Sequence, residues 1–106
     1  MRVLLDECLP KRLKKELTGH EVHTVPEAGW AGKENGELMQ LLSARFEAFI
    51  TVDRNLPAQQ NLTGVQFGVV VLRARSNRFG DLQPLVPQIL EVLRKLKASQ
   101  VVHVGG

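Results

Sequence analysis

Asp6 and Glu7 follow directly on the apolar run Val3-Leu4-Leu5, and Asp53 follows Phe49-Ile50-Thr51-Val52. In an open, mostly parallel α/β sheet the carboxyl ends of the strands form the ligand crevice, so carboxylates arriving from two strands can converge on one spot. Converging carboxylates repel each other and need a cation, a proton or a phosphoryl group to offset that repulsion. Arg54, Arg73, Arg75 and Arg78 lie just beyond two of the expected strand ends. Guanidinium pairs bidentately with phosphate oxygens, so these positions suit phosphate contacts. The pattern points to a site that handles a divalent cation, a phosphate, or both.

Those side chains need a scaffold, and the chain has the means to build one. Its 106 residues are expected to form a single domain, 1–106. At that size roughly two thirds of the unfolded surface can be buried, enough for one core without disulfides. Cys8 is the only cysteine, which excludes an internal disulfide and a cysteine-rich zinc site. Asp6, Glu7 and Lys11 interrupt any apolar run that could serve as a signal peptide, and no stretch approaches the roughly 20 apolar residues of a membrane span. A cytoplasmic protein with no membrane partner is the expectation. A net charge of +3 permits an anionic partner such as nucleic acid without requiring one.

Strand-like and helix-like patterns alternate along the chain. Val3 to Leu5 reads as a strand buried on both faces, Glu21 to Val25 as a more exposed strand, and Phe49 to Val52 as a third. Phe67 to Leu72 is the strongest strand pattern, and Val101 to Val104 closes the series. Between them, Pro10 is placed to open a helix carrying Leu13 and Leu17, and Asn35 to N-cap a helix carrying Leu38, Leu41 and Leu42. A short helix or structured turn is expected over Arg54 to Leu62. Asp81 is placed to cap a last helix whose apolar stripe runs from Leu82 to Leu96, with an irregular first turn near Pro87. The order predicts an α/β, three-layer fold: a mostly parallel central sheet of about five strands with helices on both faces.

Four segments carry a family resemblance: Leu4-Leu5-Asp6-Glu7-Cys8-Leu9-Pro10, Gly29-Trp30-Ala31-Gly32, Thr51-Val52-Asp53-Arg54-Asn55-Leu56-Pro57 and Leu72-Arg73-Ala74-Arg75-Ser76-Asn77-Arg78. Together they resemble the small bacterial PIN-like proteins, a group read as nucleases and associated with toxin–antitoxin pairs. The resemblance implies a metal-dependent ribonuclease in which clustered carboxylates hold Mg²⁺ or Mn²⁺ against a phosphodiester. It implies Asp6 and Asp53 as the first acids of the set. The third acid of such domains comes from the central helix; of Glu34 and Glu37, the latter falls in the first helical turn and is the better placed. Glu7 is a further candidate ligand, although neighbours on an extended chain point opposite ways. Arg54, Asn55, Arg73, Arg75 and Arg78 are the expected RNA contacts, and the partners implied are RNA, a cognate antitoxin and a second copy of the chain. The likeness is incomplete: Asn35 and Cys8 stand where related sequences carry aspartate and asparagine, and no fourth acid follows Asp53 before Asp81.

The remaining chemistry-bearing residues read more plainly. Trp30 is expected to plug a corner of the core rather than to stack on a base. His20, His23 and His103 show no ligand spacing, and nothing beside Cys8 activates its thiol. Gln59, Gln60 and Asn61 read as turn residues whose amides could also donate to nucleic acid. Two alternatives stand beside the nuclease. One is a PIN-like module that binds RNA or protein without cleaving. The other is a receiver-like domain in which Asp53 accepts a phosphoryl group, but Leu72-Arg73 occupies the place of its hydroxyl residue and its lysine after the last strand has no counterpart.

Overall fold

The computed structural model describes residues 1–105. Five strands, β1 (Arg2–Leu5), β2 (Glu21–Thr24), β3 (Ala48–Thr51), β4 (Gly68–Arg73) and β5 (Val101–Gly105), form one all-parallel sheet in the order β2-β1-β3-β4-β5. The inner strands β1, β3 and β4 are largely apolar because both their faces are covered, whereas the edge strands β2 and β5 keep exposed polar positions at Glu21 and His103; successive side chains enter opposite cores. Val3, Leu5, Ile50, Val70 and Leu72 face one core, and Leu4, Phe49, Val69 and Val71 the other. The first core is closed by Leu13 of α1 (Leu13–Glu16), Leu82 of α4 (Phe79–Leu82), and Val86, Ile89 and Leu93 of α5 (Val86–Lys95). The second is closed by Leu38, Met39 and Leu42 of α2 (Asn35–Arg45), Leu56 of α3 (Leu56–Gln59), and by Trp30 and Phe46. The expected α/β sheet with helices on both faces is the fold observed.

Several local expectations need correction. Helix α1 starts at Leu13 rather than at Pro10; the Leu13 and Lys14 amides donate to the Pro10 and Lys11 carbonyls, so a chain of tight turns precedes a single helical turn. Asn35 is the first residue of α2, Glu34 holds the N-cap position, and no side chain caps the helix. Asp81 lies inside α4 and does not cap the last helix. The apolar stripe from Leu82 to Leu96 spans α4, a 3₁₀ turn at Gln83–Leu85 and α5. Pro84 and Pro87 explain the break: each lacks an N–H, which is harmless only in a first turn, and both occupy such positions. Gly68, at the start of β4, is held by crowding, since a Cβ there would lie 2.5 Å from Leu96 Cγ and 2.7 Å from the Lys97 carbonyl oxygen. Among the described residues no helix is long and apolar enough to cross a membrane.

The strand order has one topological switch point, between β1 and β3. The chain leaves β1 toward α1 on one face and leaves β3 toward α3 on the other, so the two outgoing loops separate and open a crevice between them. Asp6 and Asp53 stand at its two lips.

Candidate active site

Pairing between β1 and β3 runs one residue past the strand end, because the Asp6 amide donates to the Ile50 carbonyl at 2.9 Å. Leu5 stands opposite Ile50 in register, so by alternation Asp6 and Thr51 are neighbours on the α2 side of the sheet. Thr51 is fully buried within an otherwise apolar strand, and its hydroxyl is used twice. It donates to Asp6 Oδ2 at 2.7 Å and accepts the Asp53 amide at 3.0 Å. A single hydroxyl therefore joins the first carboxylate to the main chain that carries the second. Asp6 Oδ1 accepts the Glu7 amide at 2.8 Å, and Asp53 Oδ1 accepts the Asn55 amide at 2.9 Å in the turn leading into α3.

A third loop joins these two. Asn77 Nδ2, from the segment after β4, donates to the Cys8 carbonyl at 2.7 Å and so ties that loop to the one after β1. Ser76 shapes the same loop: its hydroxyl donates to Asp81 Oδ2 at 2.6 Å and accepts the Arg78 amide at 3.0 Å. Asp81 thus organises the arginine-bearing loop, and Arg12 stacks over Phe79 at 4.2 Å beside it. Cys8 is half-buried near Asp6 and Thr51, and burial pushes its thiol pKa up, which keeps the group protonated at neutral pH.

The other sequence-derived candidates are placed unevenly. Glu7 is exposed beside Asp6. Glu37 lies in the first turn of α2, exposed, with Lys33 Nζ 3.2 Å from its carboxylate. Arg54, Asn55, Arg73, Arg75 and Arg78 are all exposed. Arg73 Nε donates to His103 Nδ1 at 3.2 Å, and among the described residues none of the four arginines takes part in an ion pair. Trp30 is buried edge-on to Phe46, with ring centroids 5.8 Å apart, and fills a core corner as expected.

Thr51 and Asn77 are the two site-building residues that sequence reasoning passed over. A signal existed for Thr51, since a hydroxyl in a fully buried strand must find partners, and the nearest polar groups were the strand-end acids. Asn77 carried no such signal, because its partner lies 69 positions away.

Whether these residues suit a metal ion can be judged from the donor set. Among the described residues no three His, Cys, Asp or Glu side chains are grouped as ligands for one ion. Asp53 Oδ2 has no hydrogen-bond partner among the described residues, and Asp6 offers two oxygens that accept only one donor each. Two carboxylates with the remaining positions left to water and substrate phosphate fit the habit of Mg²⁺, and do not fit an all-protein cage.

A family model described as a PIN like domain matches residues 1–73. The chain belongs to the PIN-like domain family. No curated protein and no solved structure matches it. The matched span covers β1 to β4 and contains Asp6, Thr51, Asp53, Arg54 and Arg73. In this PIN-like domain Arg75, Asn77 and Arg78 lie just beyond the match, so the loop that closes the site is carried by the part of the chain outside it.

Proposed function

We propose that this PIN-like domain is a ribonuclease that depends on Mg²⁺ or Mn²⁺. The observation that carries the reading is the Thr51 hydroxyl linking the Asp6 carboxylate to the Asp53 main chain at the topological switch point. Asp6 and Asp53 would hold the cation, with Glu37 and Glu7 as candidates for outer contacts through water. When bound, the ion would offset charge on the phosphodiester, lower the pKa of the attacking water and steady the leaving oxygen. Thr51 fixes the Asp6 rotamer by donating its proton, and Asn55 fixes Asp53 through its amide. Arg54 follows Asp53, and Arg73, Arg75 and Arg78 lie at and beyond the end of β4, exposed and without ion pairs among the described residues; they would favour a polyanion and orient its phosphates.

A specific observation supports a second reading, a PIN-like module that binds RNA or protein without cleavage: Glu37 is engaged by Lys33, and no third acid joins the pair among the described residues. The strand order is also compatible with a phosphoacceptor role for Asp53, but β4 ends in Leu72-Arg73 with no hydroxyl side chain. The role of toxin with a cognate antitoxin, and a homodimeric state, belong to this proposal on the family resemblance alone.

Incubation of purified protein with single-stranded and hairpin RNA separates these readings. The nuclease reading expects cleavage with Mn²⁺ or Mg²⁺, abolished by chelator and in Asp6→Ala and Asp53→Ala. Identical behaviour of wild type and both variants, with no metal uptake by calorimetry, would establish the non-cleaving module. Labelling of Asp53 by a small phosphodonor would establish the phosphoacceptor instead.

A further inference from the structure

A groove of about 500 Å³ runs between α2 and the segment that links α3 to β4, and it is lined by Gly36, Gln40, Ser43, Gln60, Asn61 and Thr63 over Met39 and Val65. That volume falls in the range of small-molecule sites, and no charged side chain lines it. Its walls are held in place: Ser43 Oγ accepts the Gln66 amide at 2.8 Å, and Asn61 Oδ1 accepts the Thr63 amide at 3.0 Å. The Asn61 amide nitrogen is left as a donor. Gln40 and Gln60 make no side-chain hydrogen bond among the described residues, so each presents a donor and an acceptor side by side. Adjacent donor and acceptor are what the edge of a nucleobase displays, and glutamine and asparagine pair bidentately with adenine N6 and N7. Met39 and Val65 supply apolar contact for a flat ring.

The groove's position ties it to the acids. Helix α2 connects parallel strands and must run back against them, so its Gly36 end is level with the strand carboxyl ends. Asp6 and Thr51 face the same side of the sheet as α2, and Gln60 closes α3, which begins just after Asp53. From Gly36 to Ser43 the helix rises ~10 Å, leading away from the crevice. Gly36 and Gln60 face each other across that entrance: a Cβ on Gly36 would make ordinary contact with Gln60 Oε1 at 3.8 Å.

We propose that this amide-lined groove binds a base, preferentially adenine, of single-stranded RNA beside the phosphate that a cation on Asp6 and Asp53 would hold. The proposal rests on the ribonuclease reading for its substrate class, but its test does not require cleavage. A hexa-adenylate and an abasic ribose–phosphate hexamer are titrated into the protein with Ca²⁺, a hard oxygen-seeking cation, in place of Mn²⁺ or Mg²⁺, with side-chain amide resonances followed by NMR. Hexa-adenylate is expected to shift Gln40, Gln60 and Asn61. Gln40→Leu combined with Gln60→Leu is expected to weaken it about tenfold while leaving the abasic hexamer unchanged. Gln60→Glu, which retains a hydrogen-bonding side chain at an accessible position, gives a similar loss by repelling the strand. Equal binding of the two hexamers, shifts confined to the arginine loops, or no binding of either would overturn the groove. Cleavage of longer RNA with Mn²⁺ is scored separately: cleavage with an unresponsive groove removes this proposal alone, and a responsive groove without cleavage removes the nuclease.

Discussion

The two ends of the sheet use the same kinds of residue in opposite ways. At the amino ends of the strands, charge is matched within the chain. Glu21 meets the Arg2 guanidinium and the His23 ring at 3.2 Å each, and the Arg45 guanidinium lies 5.3 Å over the Trp30 ring. At the carboxyl ends, Asp6 and Asp53 are bonded to a hydroxyl and to main-chain amides, and the four nearby arginines form no ion pair among the described residues. Neutral partners orient a carboxylate without cancelling its charge. One end therefore matches charge within the fold, and the other leaves acids and arginines without counter-charges among the described residues.

The largest break in that contrast comes from removing the acids. Asp6→Ala and Asp53→Ala are expected to bring RNA cleavage to background and to abolish Mn²⁺ uptake by calorimetry; Asp6→Ala also leaves the buried Thr51 hydroxyl without its acceptor, so a lower Tm accompanies that variant. Thr51→Val is the sharper test, because it keeps the shape of the side chain and removes only the shared hydroxyl. It leaves the partly buried Asp53 amide without its acceptor, so unfolding by urea should show a loss of about 1 kcal/mol. With Asp6 no longer held, kcat should fall by about 100-fold with little change in KM. An unchanged kcat would mean that the hydroxyl serves the fold alone.

The arginines come next in size. Arg75→Gln and Arg78→Gln should each weaken single-stranded RNA binding and reduce the slope of log affinity against log salt by about 0.7. Arg2→Gln, at the other end, should leave that slope unchanged. Filter binding between low and moderate salt reads both. A loss of slope shared equally by the two ends would dissolve the comparison.

What could be read from the chain in advance follows from where each interaction lies. The inner strands were legible because burial on both faces writes a largely apolar run, the edge strand β2 because it alternates, and the two aspartates because they follow such runs. The break in the Leu82–Leu96 stripe was not, since one helix or two stacked turns can present the same apolar face. Asn35 and Asp81 matched the residue types of N-caps, yet helix α2 starts without a capping side chain and Asp81 is drawn to Ser76. Most hidden were Thr51 and Asn77, whose partners lie 45 and 69 residues away. Local pattern marks which groups arrive at the crevice, whereas the bonds that fix them there depend on register between distant strands.

A smaller effect lies at a carboxyl-end acid that, like Glu37, has a cation against it. Glu27, just after β2, holds Lys14 Nζ at 2.8 Å and accepts the Thr24 amide at 2.9 Å, with Lys11 Nζ at 3.8 Å. The Lys14 contact, helped by that amide, lowers its pKa to about 2. A carboxylate depressed in the folded state contributes stability that is complete above its unfolded pKa and is lost as pH falls through the folded value. The Tm should therefore decline between pH 4.5 and about 2, and Glu27→Gln should flatten that part of the curve. Glu27 is exposed and open to solvent screening, so the change should be modest and should shrink in high salt. RNA binding at neutral pH should be untouched by Glu27→Gln, because this charge is already matched by its own chain. Tighter binding in that variant would instead show that Lys11 and Lys14, once released, join the basic rim.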